Sequence, residues 1–153
     1  LPIEIRSARD ARVGARAAST MHRGESLLVH DYVGTLPPSA TWCRYDLPVG
    51  VTDLDVHLGG KHELVEAKSS ATRPHVRQAL AQLLDYAPSL GERAPDTLTV
   101  LVPSLPSESA VQLLHRYGVH CVYRRPNGSY ARLEAPSVPA AAIAALWTAV
   151  AAT

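Results

Sequence analysis

Two alternating runs separated by a glycine pair constrain this chain more than any other feature. Between Val51 and Leu58, Leu54, Val56 and Leu58 are apolar, while Asp53, Asp55 and His57 fall on the other face. A period of two is the signature of a strand. Gly59-Gly60 supplies a turn, and Glu63 to Lys68 (Glu-Leu-Val-Glu-Ala-Lys) supplies a second strand, so the two runs form a hairpin. Ser69 to Pro74 reads as a loop, with Pro74 suited to the first turn of a helix. That helix runs to Pro88 with Val76, Leu80, Leu83 and Leu84 as its apolar stripe.

Around this unit the pattern predicts a helix from Met21 to Leu36, stopped by Pro37-Pro38, and an irregular, turn-rich connection over residues 37–50. Leu98 to Val102 reads as a buried strand and Ser107 to Tyr117 as a helix. Val119 to Tyr123 and Tyr130 to Leu133 read as strands joined by an Asn127-Gly128 turn. An Ala-rich helix from Pro139 to about Ala151, carrying Trp147, closes the chain. The expected fold class is α/β, with a mixed central sheet flanked by helices.

At 153 residues the chain has the size of one domain. Residues 1–20, with Arg6, Arg9, Arg12 and Arg16, form a polar leader or N-terminal helix, and 21–153 form the domain. A first residue of Leu rather than Met suggests a piece of a longer protein. Phe is absent, so Leu, Val and Ala must fill the core. The net charge of +1 gives no strong field toward nucleic acid, so any such binding rests on locally clustered Arg and His. Cys43 and Cys121 stand far apart with no CxxC pair, and no signal peptide is visible. These features, with an Ala140–Ala152 stretch too short to span a bilayer, predict a cytoplasmic setting. Dinucleotide, P-loop, serine-hydrolase and zinc-protease motifs are all missing.

The hairpin carries the chemistry. Alternation puts Glu66 and Lys68 on one side of their strand, and antiparallel pairing can bring Asp53 or Asp55 beside Glu66. Two neighbouring carboxylates repel unless a cation sits between them, and hard oxygen ligands suit Mg²⁺. A lysine two residues on can hold an attacking water or stabilise charge growing on a phosphate. Alone, Glu-x-Lys arises by chance roughly once in every two chains of this length. A solvated hairpin face with cross-strand ion pairs is the plain alternative.

The wider stretch narrows the choice. Asp53, then Glu66-Ala67-Lys68, then Gln82-Leu-Leu-Asp-Tyr86 on the next helix resembles the restriction-endonuclease-like, or PD-(D/E)XK, nuclease superfamily. The helix with Glu25, Leu28, Val29 and Tyr32, and the strand–helix–strand after Leu98, resemble the flanking parts of its α-β-β-β-α-β core. The resemblance covers roughly residues 21–125. It implies that Asp53 and Glu66, with the Ala67 carbonyl and possible additions from Asp55 or Glu25, ligate Mg²⁺, for which Mn²⁺ substitutes. It implies that Lys68 positions or activates water, with Gln82 beside it. Arg73, His75, Arg77 and Tyr86 would then contact substrate, although Arg73, His75 and Arg77 also read as an ordinary exposed basic face, and Gln82 and Tyr86 as a solvated Gln and a packed Tyr. Thr52 stands where the superfamily usually has Pro.

The expected activity is Mg²⁺-dependent hydrolysis of DNA phosphodiester bonds, endonucleolytic rather than exonucleolytic, in bacterial restriction, defence or repair. The expected partners are DNA, a second copy of the chain, and a recognition domain lying elsewhere in a longer protein. A nuclease-like module that binds nucleic acid or a partner without cutting is the competing expectation.

Overall fold

The computed structural model describes residues 23–46, 52–138 and 143, with the backbone alone described for 44–46, 52–55 and 91–93. Helix α1 covers residues 23–33. Strands β1 (Thr41–Asp46), β2 (Thr52–Leu58) and β3 (Lys61–Ala67) follow, then helix α2 (Arg73–Tyr86) and a 3₁₀ stretch, Ala87–Arg93. Strand β4 (Thr97–Val102), helix α3 (Glu108–Arg116) and strands β5 (His120–Arg124) and β6 (Tyr130–Leu133) complete the described chain, apart from helical residues 137, 138 and 143. The polar leader, and the closing Ala-rich helix apart from residue 143, lie outside the described residues.

The six strands form one sheet in the order β1-β2-β3-β4-β5-β6. β1, β2 and β3 are an antiparallel meander, β3, β4 and β5 run parallel, and β6 returns antiparallel. The mixed α/β sheet expected from the sequence is therefore present. One expectation fails: residues 41–46 are a strand, not part of an irregular connection. β1 lies at the end of the strand order, and its described side chains, Thr41, Trp42 and Cys43, are all exposed, so that part of the strand carries no apolar alternation. The helix expected to reach Pro88 ends as α-helix at Tyr86 and continues as the 3₁₀ stretch.

Gly59 and Gly60 both adopt positive φ, +61° and +76°, as a two-residue type I′ hairpin turn requires. The turn sets the register: Leu58 pairs with Lys61, and the ladder runs outward to Leu54 opposite Val65.

The sheet is covered on both faces. Leu64 of β3 and Leu98, Val100 and Val102 of β4 pack against Val76, Ala79, Leu80 and Leu83 of α2 and Ala110 and Leu114 of α3. On the opposite face Val56, Val65, Ala67, Leu101 and Val122 pack against Leu28, Val29 and Tyr32 of α1. β3 thus contributes buried side chains to both layers, and its burial is continuous from Leu64 to Ala67.

Cys121 lies in the α2–α3 core, where burial pushes its thiol up to about 12, while Cys43 is exposed. Reactivity follows the thiolate and its access. Under native conditions a thiol reagent is expected to label Cys43 alone, with Cys121 reacting only after denaturation. Equal labelling of both in the folded protein, read by intact mass, would contradict this packing.

Candidate functional site

Lys68 is the first residue past β3. Its backbone N–H donates to the carbonyl of Leu101 on β4 at 2.9 Å, so the parallel ladder fixes where its side chain starts. The ammonium Nζ lies 2.9 Å from Glu66 Oε1 and 3.7 Å from Glu25 Oε1 on α1. The side chains of Lys68 and Glu66 are only 4% and 2% exposed, and that of Glu25 is 21% exposed. The reading of Glu66 and Lys68 as a solvated hairpin face is overturned, because helices cover both sides of β3.

Removing a Lys and a Glu from water costs several kcal/mol per ion, which mutual attraction recovers only in good geometry. Apolar replacements of such pairs are often as stable, so a buried pair is a better sign of chemistry than of stability. Two carboxylates around one ammonium leave one formal negative charge in excess. An all-oxygen donor set with that excess suits a hard divalent cation and not a thiophilic one.

The register bears on the third carboxylate. The paired register ends at Leu54–Val65; continued by one residue it would set Asp53 across from Glu66, whereas Asp55 pairs with Leu64. On its other edge Asp53 pairs with Tyr45 of β1. The side chains of Asp53 and Asp55 lie outside the description. Among the described residues, no group of three or more His, Cys, Asp or Glu is arranged to hold a metal ion.

The remaining candidates sit on α2. Gln82 is half-buried, and its side-chain carbonyl oxygen is shut off from solvent without a hydrogen-bond partner among the described residues. A polar atom left in that condition costs about 1–3 kcal/mol, so it fits a place that a ligand or cation completes. Tyr86 is half-buried one turn on. His75 is tied to the start of its own helix, with Nδ1 2.8 Å from Thr72 Oγ1, while Arg73 and Arg77 are exposed. Arg73 borders a groove of about 590 Å³ at the C-terminal ends of β3 and β4, shared with Ser69, Thr72, Ser104 and Ser107. Neither His75 nor Arg77 lines that groove.

One positioning residue escaped the sequence reading. A Cβ on Gly24 would stand 3.2 Å from Ser69 Cβ, so α1 approaches the chain just after Lys68 closely because residue 24 has no side chain. That approach brings the neighbouring Glu25 to Lys68. A single Gly at a helix start carries no recognisable signal of this kind.

Comparison of the chain with protein-family models, curated proteins and solved structures found no match.

Gly24→Val forces α1 and the Ser69 segment apart. Overpacking of this kind costs about 1–3 kcal/mol, and a matching fall in the urea midpoint is expected. The change to Ala should cost less, because gained helix propensity offsets part of the strain. A Val variant as stable as the original chain would disprove the close approach.

Proposed function

We propose that the chain is a metal-dependent nuclease that hydrolyses phosphodiester bonds, with DNA as substrate and endonucleolytic cutting as its mode. The observation that carries the reading is the buried Lys68 ammonium held between Glu66 and Glu25 at the end of β3. The element order α1, β1, β2, β3, α2, β4 supports it, being the α-β-β-β-α-β arrangement of the restriction-endonuclease-like superfamily that the motif resembles. The ladder step that favours Asp53 over Asp55 opposite Glu66 supports it too.

In this reading Asp53, Glu66 and the Ala67 carbonyl hold Mg²⁺, or Mn²⁺ in its place, with Glu25 as a further carboxylate. The metal, when bound, polarises the phosphate and lowers the pKa of a coordinated water. Lys68 directs its N–H donors at the water or at the phosphate oxygen gaining charge. Gln82 orients the same water through its side-chain amide. Arg73 places a phosphate at the groove beside it without reading sequence. His75, Arg77 and Tyr86 provide further contacts along α2. The setting that suits such a centre is bacterial restriction, defence or repair in the cytoplasm. Cutting both strands calls for two centres, hence a second copy of the chain, and target choice for a recognition domain elsewhere in a longer protein.

A non-cleaving, nuclease-like binding module is the second reading. It is favoured by Lys68 sitting directly on Glu66, an oxygen that the first reading assigns to the metal. Calorimetric titration separates the two, since Mg²⁺ binding lost in Glu66→Gln belongs only to the nuclease.

Purified protein with Mg²⁺ or Mn²⁺ is expected to nick or linearise plasmid DNA. Lys68→Ala and Lys68→Met are expected to reduce the rate by about 100-fold or more. Circular dichroism shows whether each variant is folded, because Lys68→Ala also leaves Glu66 buried beside a void, at about 3–5 kcal/mol. Equal trace cleavage by the original chain and a folded Lys68 variant would identify a contaminant and end the nuclease reading.

A further inference from the structure

A second group of polar side chains gathers on the α1 face, at the end of β3 remote from Lys68. Glu63 and Lys68 stand about 16 Å apart along the extended chain. Single residues from separate elements meet there: Tyr32 of α1, Glu63 of β3, Thr99 of β4, His120 of β5 and Arg132 of β6. The Thr99 hydroxyl donates to Glu63 Oε1, and Arg132 Nη2 lies 2.7 Å from the same oxygen. Arg132 Nε is also 3.7 Å from Glu134. Tyr32, Glu63, His120 and Arg132 line an open cavity of about 600 Å³, and Leu36, Val56 and Leu58 give it an apolar wall.

The protonation states follow from the surroundings. Burial, then Arg132, hold the His120 imidazolium form below the usual histidine range, against the opposing pull of Glu63 and Glu134. His120 Nδ1 accepts the Ala135 N–H at 3.0 Å, so the neutral ring carries its proton on Nε2. Burial and Glu63 push the Tyr32 hydroxyl up to about 12, which keeps it a donor at neutral pH.

Charge narrows the class of ligand. Lys61 and Arg132 balance Glu63 and Glu134 around the cavity, so it has no excess attraction for a free ion of either sign. Donors and a carboxylate acceptor stand side by side instead, next to an apolar wall. Nucleobase edges are read by this kind of pairing, with guanidinium and carboxylate meeting adjacent acceptors and donors. A volume of this order accommodates one small molecule.

We propose that this cavity binds a neutral planar heterocycle with adjacent hydrogen-bond donors and acceptors on one edge, the chemistry of a purine or pyrimidine base. The site lies at the other end of β3 from Lys68, and it does not depend on the nuclease reading. Arg132 and Glu63 take the polar edge of the ring, and Leu36, Val56 and Leu58 cover its apolar surface. A structural strut, in which Arg132 only ties β6 to β3, is the opposing account.

The full chain is titrated with guanosine, cytidine and a short single-stranded oligonucleotide, followed by calorimetry and by NMR shifts at residues lining the cavity. Saturable nucleoside binding is expected, unaffected by whichever of Lys68→Ala and Lys68→Met circular dichroism shows to be folded. Arg132→Gln should weaken it by about tenfold or more. Because loss of Arg132 also leaves the half-buried Glu63 without its ion-pair partner, Leu58→Trp provides a second variant. It fills the cavity from its exposed rim, touches no buried charge, and should block binding in a protein that melts like the original. Absence of any nucleoside response in the folded chain overturns the proposal, as does binding that survives Leu58→Trp. A response to the oligonucleotide alone also overturns it, since a single-ring pocket must accept the free nucleoside.

Discussion

Everything described here hangs on strand β3, which is hydrogen-bonded along both edges and buried on both faces. Its antiparallel edge meets β2 and its parallel edge meets β4. Its odd-numbered residues Val65 and Ala67 join the α1 layer, while Leu64 joins the α2–α3 layer. In such a strand a one-residue slip exchanges the side chains of two cores at once, so the register is held from both sides. Glu66 inherits that precision. It occupies a core position of the α2 face, and its charge is tolerated because Lys68 follows two residues later and reaches back to it.

The two ends of β3 carry opposite solutions to burying charge. At the Lys68 end, carboxylates outnumber the ammonium, and the cluster draws on α1 as well as the sheet. At the Glu63 end, guanidinium and carboxylate are matched and a hydroxyl takes up part of the carboxylate's remaining capacity. An unbalanced cluster attracts a further cation, whereas a balanced one is selective through hydrogen-bond geometry. α1 runs past both, contributing Glu25 near one end and Tyr32 near the other.

Much of this was legible in the sequence where local pattern and tertiary environment agree. The Gly59-Gly60 turn, the alternation of β2, the stripe of α2 and the short strand Tyr130–Leu133 all appear where the residues predict them. β1 was not legible, because it lies at the end of the sheet and its described side chains, Thr41 to Cys43, are exposed and show no apolar period. Glu66 and Lys68 were legible as a pair, but not as buried, since burial depends on which helices cover the hairpin. The Glu63 cavity was invisible to spacing arguments: its residues come one at a time from elements far apart in the chain. Gly24 was missed for the same reason, its role being defined by a neighbour, Ser69, that only the fold supplies.

The glycine turn has a consequence for how the Lys68 centre assembles. Closing a short loop costs little chain entropy, and antiparallel neighbours joined by two residues find their register locally. The β2–β3 ladder that leads to Glu66 therefore consists of contacts of low sequence separation. The Lys68 N–H bond to Leu101 belongs to the other kind, because β4 reaches β3 only after α2 has crossed the sheet. The centre is thus split between an inexpensive local half and a costly distant half. The hairpin places Glu66, and the long-range pairing fixes where the Lys68 side chain that neutralises it begins.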